Sequence, residues 1–194
     1  MKISAIILAS GFSKRMPQNK LKLLIRDKKV YQYIIDNIEK IDFAEKIVVT
    51  NDKEISLYAS ERKIKPVPNE TAHIGKSESI KKGIKASESA DAYMFFVADQ
   101  PFLTIPTIKN LMEFYCKNKD YIIYPKYGND RGSPVILPSK YKNELLNFEK
   151  DKGGASLINE DNSKFLIIKN TIEGFDIDDT ESYEKIIKMN IENL

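Results

Sequence analysis

A run of small, glycine and basic residues follows the first apolar segment of the chain. Gly11 comes directly after that segment, and Arg15 and Lys20 lie further along the same stretch. Backbone N–H groups at a glycine turn, together with fixed cations, are typical of a phosphate-binding loop. The stretch is neither a Walker A loop nor a G-x-G-x-x-G signature, because no glycine directly precedes Lys20 and the glycine spacing is absent. It therefore predicts a phosphate cradle, and the alternative is a solvated turn with ordinary surface lysines.

Two acidic segments have the chemistry to hold a hard divalent cation. Asp99 follows an apolar run directly, and Pro101 forces the chain to turn after it. Asp176 and Asp178 alternate at the predicted tip of a final strand, so they share one face of an extended segment and repel each other unless a cation lies nearby. The alternative role for Asp99 is that of a helix cap or turn residue. For Asp179 we expect helix capping.

Composition excludes several functional classes. A single Cys116 excludes an intramolecular disulfide, and a single His73 excludes a zinc site of the usual multi-Cys/His kind. Basic and acidic residues are interleaved at a net charge of +3, which is not typical of nucleic-acid binding, whereas the local basic excess between Lys14 and Lys29 suits a small anionic ligand. The apolar run at residues 3–9 is far too short to span a bilayer. We therefore expect a cytoplasmic protein with no nucleic-acid or membrane partner.

An alternation of strands and helices must position these residues. Continuous apolar runs predict strands buried on both faces, as in a parallel sheet. These runs lie at residues 3–8, 46–50, 63–67, 92–97, 121–124 and 165–168. Apolar residues at helical spacing recur between them, and helix starts are predicted at Asn51-Asp52, Thr104 and Thr180. Ser77 or Ser79 is a further candidate helix cap.

The stretch from residue 126 to residue 138 breaks this rhythm. It is rich in turn residues and then returns as a short apolar run at residues 134–137. We predict a hairpin-like excursion beside the main sheet. The whole pattern predicts an α/β fold with right-handed crossovers in a single domain over residues 1–194.

Five segments, in order, resemble the signature segments of the MobA-like nucleotidyltransferases of molybdenum-cofactor biosynthesis. They are Leu8-Ala9-Ser10-Gly11 with Arg15 and Lys20, Asn69 with Gly75, Ser77 and Ser79, Ala98-Asp99-Gln100-Pro101, the Arg131-Gly132 loop, and Asp176-Ile177-Asp178. In an open α/β sheet, ligands bind beyond the carboxyl ends of the strands, and these segments fall there. The resemblance covers nearly the whole chain and is strongest to the cytidylyltransferase branch.

The resemblance implies a three-layer α/β/α nucleotidyltransferase with a Rossmann-like, mostly parallel sheet. It implies transfer of CMP from CTP to the terminal phosphate of molybdopterin or its molybdenum-loaded form, with release of pyrophosphate and with Mg²⁺ or Mn²⁺ as cofactor. The site residues that it implies are Arg15, Lys20 and Asp99 for catalysis, Asp99 and Asp178 for the metal, Leu8, Ala9, Ser10, Gly11, Asn69, Gly75, Ser77 and Ser79 for the nucleotide, and Arg131 and Gly132 for the acceptor.

Other functions remain open at this point. Ser10 stands where cytidylyltransferases of this family usually have alanine and guanylyltransferases usually have glycine. A GTP-dependent guanylyltransferase or a sugar-phosphate nucleotidyltransferase would use the same triphosphate apparatus. A catalytically silent carrier that delivers the cofactor to an apoenzyme belongs to a different class, and the presence of Arg15, Lys20 and Asp99 together argues against it. The expected partners are a nucleotide, molybdopterin and, transiently, a molybdoenzyme or its chaperone.

Overall fold

Strands and helices alternate along the chain, as the apolar periodicity predicts. The computed structural model describes residues 1–11, 16, 18–150 and 152–189. The strands of this part of the chain are β1 (Ile3–Leu8), β2 (Leu24–Ile25), β3 (Lys28–Lys29), β4 (Glu45–Val49), β5 (Lys65–Val67), β6 (Ala92–Val97), β7 (Ile122–Tyr127), β8 (Asp130–Arg131), β9 (Val135–Pro138) and β10 (Ser163–Ile168). The α-helices are α1 (Val30–Glu39), α2 (Lys53–Glu61), α3 (Lys76–Ala86), α4 (Ile105–Cys116), α5 (Lys142–Leu146) and α6 (Thr180–Lys188).

One mixed sheet organises the molecule, with strand order β10-β7-β9-β6-β1-β4-β5, and the short β8 pairs with the last two residues of β7. β1 lies in its middle and is parallel to both β4 and β6, so that Ile6 stands opposite Ile47 and Phe95. β2 and β3 form a separate small antiparallel pair. Because β1 and β6 are adjacent and parallel, the loops that follow them leave the sheet at the same edge.

Helices cover both faces of this sheet and form three layers. Side chains of β1 alternate between two buried clusters, with Ile7 packed toward α1, α2, α4 and α6, and Ile6 packed toward α3 and α5. Alternation along a strand places neighbouring residues on opposite faces, which explains why the run is apolar throughout. The predicted α/β/α fold with a mostly parallel sheet is confirmed.

The apolar run after residue 134 occupies a different place from the predicted one. β9 lies inside the main sheet, antiparallel to both β6 and β7, and all of its residues are buried. A strand that is apolar on both faces is most stable between two neighbours, so the prediction of an excursion beside the sheet was wrong for β9. The hairpin itself is present, because β7 and β8 pair across a turn in which Gly128 has a φ of +64°.

Two predictions near the C-terminal end also need correction. β10 is an edge strand, and Phe165 and Ile167 point to solvent, so this run is not buried on both faces. In addition, Asp176 and Asp178 do not lie at the tip of a strand, because β10 ends at Ile168 and a short 3₁₀ helix, Thr171–Gly174, comes between. In the described residues no helix is long and apolar enough to cross a bilayer.

Candidate functional site

A cavity of about 370 Å³ opens at the edge of the sheet where β1 and β6 end. Residues from four places in the sequence line it: the end of β1, the segment around Lys20, the start of α3 and the end of β6. Among the predicted site residues, those that line this cavity are Leu8, Ser10, Gly11, Lys20, Gly75, Ser79 and Asp99. The fold therefore brings three of the five predicted segments to one place.

Lys20 is held rigidly at the wall of this cavity. It begins a 3₁₀ helix, Lys20–Lys22, which Asn19 caps by accepting a hydrogen bond from the backbone N–H of Leu21 at 3.0 Å. Leu21 is buried and anchors this turn to the core. Nζ of Lys20 consequently projects toward the end of β6, where it meets two carboxylates.

The Lys20 ammonium lies between Asp99 and Asp178. Nζ donates to Oδ2 of Asp99 at 2.5 Å and to Oδ1 of Asp178 at 3.2 Å. Burial lowers the pKa of Lys20, but the charges and hydrogen bonds of the two carboxylates outweigh it, so that the pKa is raised above its usual value of 10.5. Lys20 is therefore a permanent cation at neutral pH. The structure brings residues 20, 99 and 178 together, as the site predicted from the sequence requires.

One oxygen of Asp99 is buried without a hydrogen-bond partner in the described part of the chain. This atom is Oδ1, while Oδ2 is engaged by Lys20. Burying a carboxylate oxygen that has no hydrogen-bond partner costs free energy of folding, unless a bound cation or hydrogen-bond donor interacts with it. Within the described ranges, no group of three or more His, Cys, Asp or Glu side chains is arranged to hold a metal ion. Asp99 and Asp178 thus fit a Mg²⁺ that takes most of its oxygen ligands from phosphate and water.

The start of α3 forms the other wall of the cavity. Gly75 precedes this helix with a φ of 142°, a conformation that favours glycine, and lines the cavity together with Ser79. Ser79 accepts a hydrogen bond from Nδ2 of the fully buried Asn69 at 2.9 Å. Asn69 is thus placed behind the wall, where it orients Ser79, and does not itself line the cavity.

Two other predicted nucleotide-binding residues also lie behind the cavity surface. Ala9 is buried, and its backbone N–H and carbonyl are engaged by Val49 and Thr50. Ser77 is fully buried with an unpaired hydroxyl in the described part of the chain. Since Ser77 and Ser79 both lie within α3 and its N-cap is Gly75, the prediction that one of these serines caps the helix was wrong. Arg15 lies outside the described residues.

A second cavity of about 350 Å³ lies beside Gln100, the residue that follows Asp99. The predicted acceptor residues Arg131 and Gly132 line it, together with Gln100, Tyr127 and Asp176. A Cβ at Gly132 would lie 2.3 Å from the ring of Tyr127, so only glycine fits against this aromatic wall. The acceptor residues therefore lie apart from the first cavity.

Asp176 separates the second cavity from the Lys20 site. It keeps access to solvent, but the surrounding protein desolvates its carboxyl and the charges of Asp99 and Asp178 act in the same direction, which raises its pKa to about 6. A hydrogen bond from Gln100 opposes this shift. Repulsion among these three carboxylates indicates a place where added positive charge is favourable.

Several lining residues had no assigned role in the sequence reasoning. His73 and Lys76 line the first cavity on either side of Gly75. Gln100 and Tyr127 line the second. His73, Lys76 and Gln100 could have been identified as lining residues because they lie within two residues of Gly75 or Asp99 in the sequence. Tyr127 ends an apolar strand and carried no such signal.

Comparison with known proteins identifies the relatives of this chain. Residues 5–165 match the family model described as MobA-like NTP transferase domain. A curated relative from Natranaerobius thermophilus, named "Probable molybdenum cofactor guanylyltransferase", is 33% identical over 126 residues. That alignment covers 63% of this chain and 60% of the relative. The chain therefore spans less than two thirds of the length of this curated relative.

Solved structures share the fold at low sequence identity. The manganese complex of Rv0371C from Mycobacterium tuberculosis H37Rv superposes with a TM-score of 0.80 at 18% identity, covering 97% of this chain and 100% of that one. The molybdopterin-guanine dinucleotide biosynthesis protein A from Archaeoglobus fulgidus superposes with a TM-score of 0.70 at 14% identity, covering 94% and 96%. At these identities the likeness shows the shared fold.

Proposed function

The chain belongs to the MobA-like NTP transferase family and is a nucleotidyltransferase, and on that premise we propose that it transfers a nucleoside monophosphate to the terminal phosphate of molybdopterin. The observation that carries the proposal is the Lys20 ammonium placed between Asp99 and Asp178 at the edge of the sheet. A fixed cation beside two carboxylates, at the end of parallel strands, is suited to a metal-bound triphosphate.

The reaction joins two anions, which sets what the residues must do. An oxygen of the acceptor phosphate attacks the α-phosphorus, the bond from that phosphorus to the bridging oxygen breaks, and pyrophosphate leaves with the electron pair. No general base is required, because the attacking phosphate is already ionised near neutral pH. Lys20 offsets the repulsion between the substrates and stabilises the charge that gathers on the leaving group. We assign the same role to Arg15.

Net charge at the site explains why a divalent cation belongs there. Lys20, Asp99 and Asp178 together carry two negative charges and one positive charge, and Arg15, to which we assign the same role as Lys20, brings the sum to zero. These side chains alone would therefore leave the negative charge of a triphosphate unneutralised. Asp99 and Asp178 would hold the metal, and its unpaired oxygen makes Asp99 the primary ligand. When bound, Mg²⁺ or Mn²⁺ supplies the positive charge that neutralises and orients the triphosphate.

We assign the first cavity to the donor nucleotide and the second to the acceptor. The first combines the glycine turn of Gly11, the Lys20 site and the start of α3. The second offers a guanidinium from Arg131 and the aromatic side chains of Tyr127 and Phe175. A cation and aromatic faces suit a flat heterocycle that carries a phosphate, such as the pterin cofactor.

Cytosine is the base that we propose, from the environment of residue 10. The hydroxyl of Ser10 donates to the carbonyl of Val49 at 2.9 Å, which fixes the side chain at the end of β4. Its Cβ then takes space in the cavity that a glycine would leave open, and a pyrimidine needs less room than a purine. Guanine is the second candidate, because the curated relative from Natranaerobius thermophilus bears the name of a guanylyltransferase.

Pyrophosphate release tests the proposal directly. The purified chain is incubated with each of the four ribonucleoside triphosphates, with Mg²⁺ or Mn²⁺, in the presence and absence of molybdopterin. We expect release that requires both metal and molybdopterin and is fastest with CTP, together with a product whose mass equals molybdopterin plus CMP. Binding of nucleotide or molybdopterin without any pyrophosphate release would instead support the silent carrier.

A further inference from the structure

Residues 173–178, the segment that carries Asp178, are hydrogen-bonded to the loop that follows β6. The backbone N–H of Ile177 donates to the carbonyl of Asp99 at 3.1 Å, and Nε2 of Gln100 reaches the carbonyl of Gly174 at 3.5 Å. Ile177 itself is fully buried. Residues 175–178 belong to no strand or helix, so these attachments, together with the hydrogen bonds of Asp178 to Lys20 and to Ser182, help to place Asp178 relative to Asp99.

Glu173 provides the charged attachment at the far end of this segment. Its Oε2 accepts hydrogen bonds from the backbone N–H of Thr104 at 3.0 Å and from the Thr104 hydroxyl at 2.8 Å. Glu173 is only 6% exposed. Hydrogen bonds to a buried carboxylate are stronger than those between neutral groups, and α4 begins directly after Thr104, so the helix dipole adds to the attraction.

Helix capping alone does not account for a buried charge at this position. Thr104 already caps α4 through its hydroxyl, which accepts a hydrogen bond from the backbone N–H of Thr107 at 3.3 Å. Burying a carboxylate is costly, and a paired buried charge is on average no more stabilising than an apolar residue of similar volume. Glu173 does, however, orient the segment that carries Asp178, because it links that segment to α4, which packs into the core through Ile108 and Leu111.

We propose that Glu173 is a positioning residue for the metal-binding carboxylates. It touches neither substrate nor metal. With Thr104 it fixes one end of residues 173–178, while the bond from Ile177 to Asp99 fixes the other, so that Asp178 stays opposite Asp99. This inference rests on the proposed function, in which those two carboxylates hold the divalent cation.

Manganese binding in the absence of substrates provides the test, because it does not depend on turnover. Mn²⁺ alone is titrated into the purified protein and free Mn²⁺ is measured by electron paramagnetic resonance. We expect Glu173→Ala to raise the Kd for Mn²⁺ about 10-fold, the usual size of effect when a residue that orients a ligand is removed. Glu173→Gln should restore the Kd to within about 3-fold, because its amide oxygen still accepts from Thr104.

Glu45 offers a matched control at the opposite end of the sheet. It is also a hydrogen-bonded carboxylate, which accepts from the hydroxyls of Ser4 and Ser87 and from the backbone N–H of Glu88. Glu45→Ala should destabilise the fold and leave the Kd for Mn²⁺ unchanged. If Glu173→Ala lowers the thermal midpoint as Glu45→Ala does and also leaves the Kd unchanged, Glu173 is merely structural and the proposal is wrong.

Two further variants keep the test decisive. If Glu173→Ala does not fold, Glu173→Asp keeps the charge but draws the carboxylate back from Thr104, and an unchanged Kd in that variant also overturns the proposal. Asp99→Asn separates this inference from the proposed function. Loss of Mn²⁺ binding in Asp99→Asn with normal binding in Glu173→Ala refutes positioning alone, whereas normal binding in both refutes the metal site itself.

Discussion

Replacing Lys20 with alanine removes the cation on which the proposed chemistry depends. Its ammonium is 2.5 Å from Oδ2 of Asp99 and 3.2 Å from Oδ1 of Asp178, and the side chains of Lys20 and Asp99 are 15% and 17% exposed. At this level of burial the charge is only weakly screened by water. The variant should therefore show both a catalytic effect and a smaller effect on stability.

The catalytic effect should be the larger of the two. Removing one preorganised donor from a charge-stabilising site lowers turnover by about 10²–10³-fold, or roughly 2.7–4 kcal/mol of transition-state stabilisation. The stability effect arises because Asp99 and Asp178 lose their counter-charge. Breaking a fully buried pair costs about 3–5 kcal/mol, and because water still reaches this one we expect about 1–3 kcal/mol.

Lys22 supplies the control, two residues away in the same 3₁₀ helix. Its ammonium pairs with Oδ2 of Asp52 at 2.7 Å on the outside of the fold, where 38% of the lysine side chain is exposed. The assay is pyrophosphate release at saturating nucleoside triphosphate and Mg²⁺, with unfolding monitored in urea. Lys22→Ala should retain wild-type turnover. Turnover of Lys20→Ala within about 5-fold of wild type, in a folded protein, would show that Lys20 has only a structural role and would refute its assignment to catalysis.

Three other outcomes follow from the structure. Asp99→Asn should lose most metal-dependent turnover yet still fold, because the amide retains the shape but not the charge that holds a hard cation, and loss of the ion pair with Lys20 should lower the unfolding midpoint only modestly; a Mg²⁺ titration of turnover measures the metal dependence. The kcat/KM for CTP should exceed that for GTP by about 10-fold, and Ser10→Gly should narrow the difference. Asp36 is half-buried, which raises its pKa, but hydrogen bonds from Lys28, Tyr58 and Arg62 outweigh that desolvation and hold the pKa below the usual 3.8. Its contribution to stability is therefore present above the unfolded pKa of 3.8 and is lost as the pH falls below 3.8 toward the lower pKa of the folded state, so urea unfolding of Asp36→Asn and wild type should differ more at pH 6 than at pH 3.

The site residues that the sequence predicts best are those that lie just beyond the ends of parallel strands. Asp99 follows an apolar run in the sequence and lies two residues beyond the end of β6 in the structure, and Lys20 follows β1 closely enough to reach it. The helix starts at Asp52 and Thr104 and the capping role of Asp179 are confirmed, because capping depends on a few adjacent residues. Local patterns predicted these features well because local chemistry causes them.

Features that depend on distant pairing could not be read in the same way. The run 134–137 is equally apolar beside the sheet or within it, and only the gap between β6 and β7 decides that β9 is an inner antiparallel strand. Glu173 presents the same difficulty. Nothing near it in the sequence indicates burial, because its partner Thr104 lies 69 residues away.

The two cavities of the site differ in the same way in how far the sequence predicts them. The cavity that we assign to the donor is lined by the segments that follow β1 and β6 and by the start of α3, which follows β5, and a parallel sheet brings such segments to one edge whatever the rest of the chain does. The acceptor cavity is built around Tyr127, whose ring fills the space that Gly132 and Gly174 leave by lacking a Cβ. Those two glycines come from the β8–β9 connection and from the segment after β10. Each position requires glycine only because the Tyr127 ring lies against it. A substitution of Gly132 should therefore change the wall of this cavity and leave the Lys20 site in place, whereas Gly174 also belongs to the segment that carries Asp178, so its substitution should disturb both.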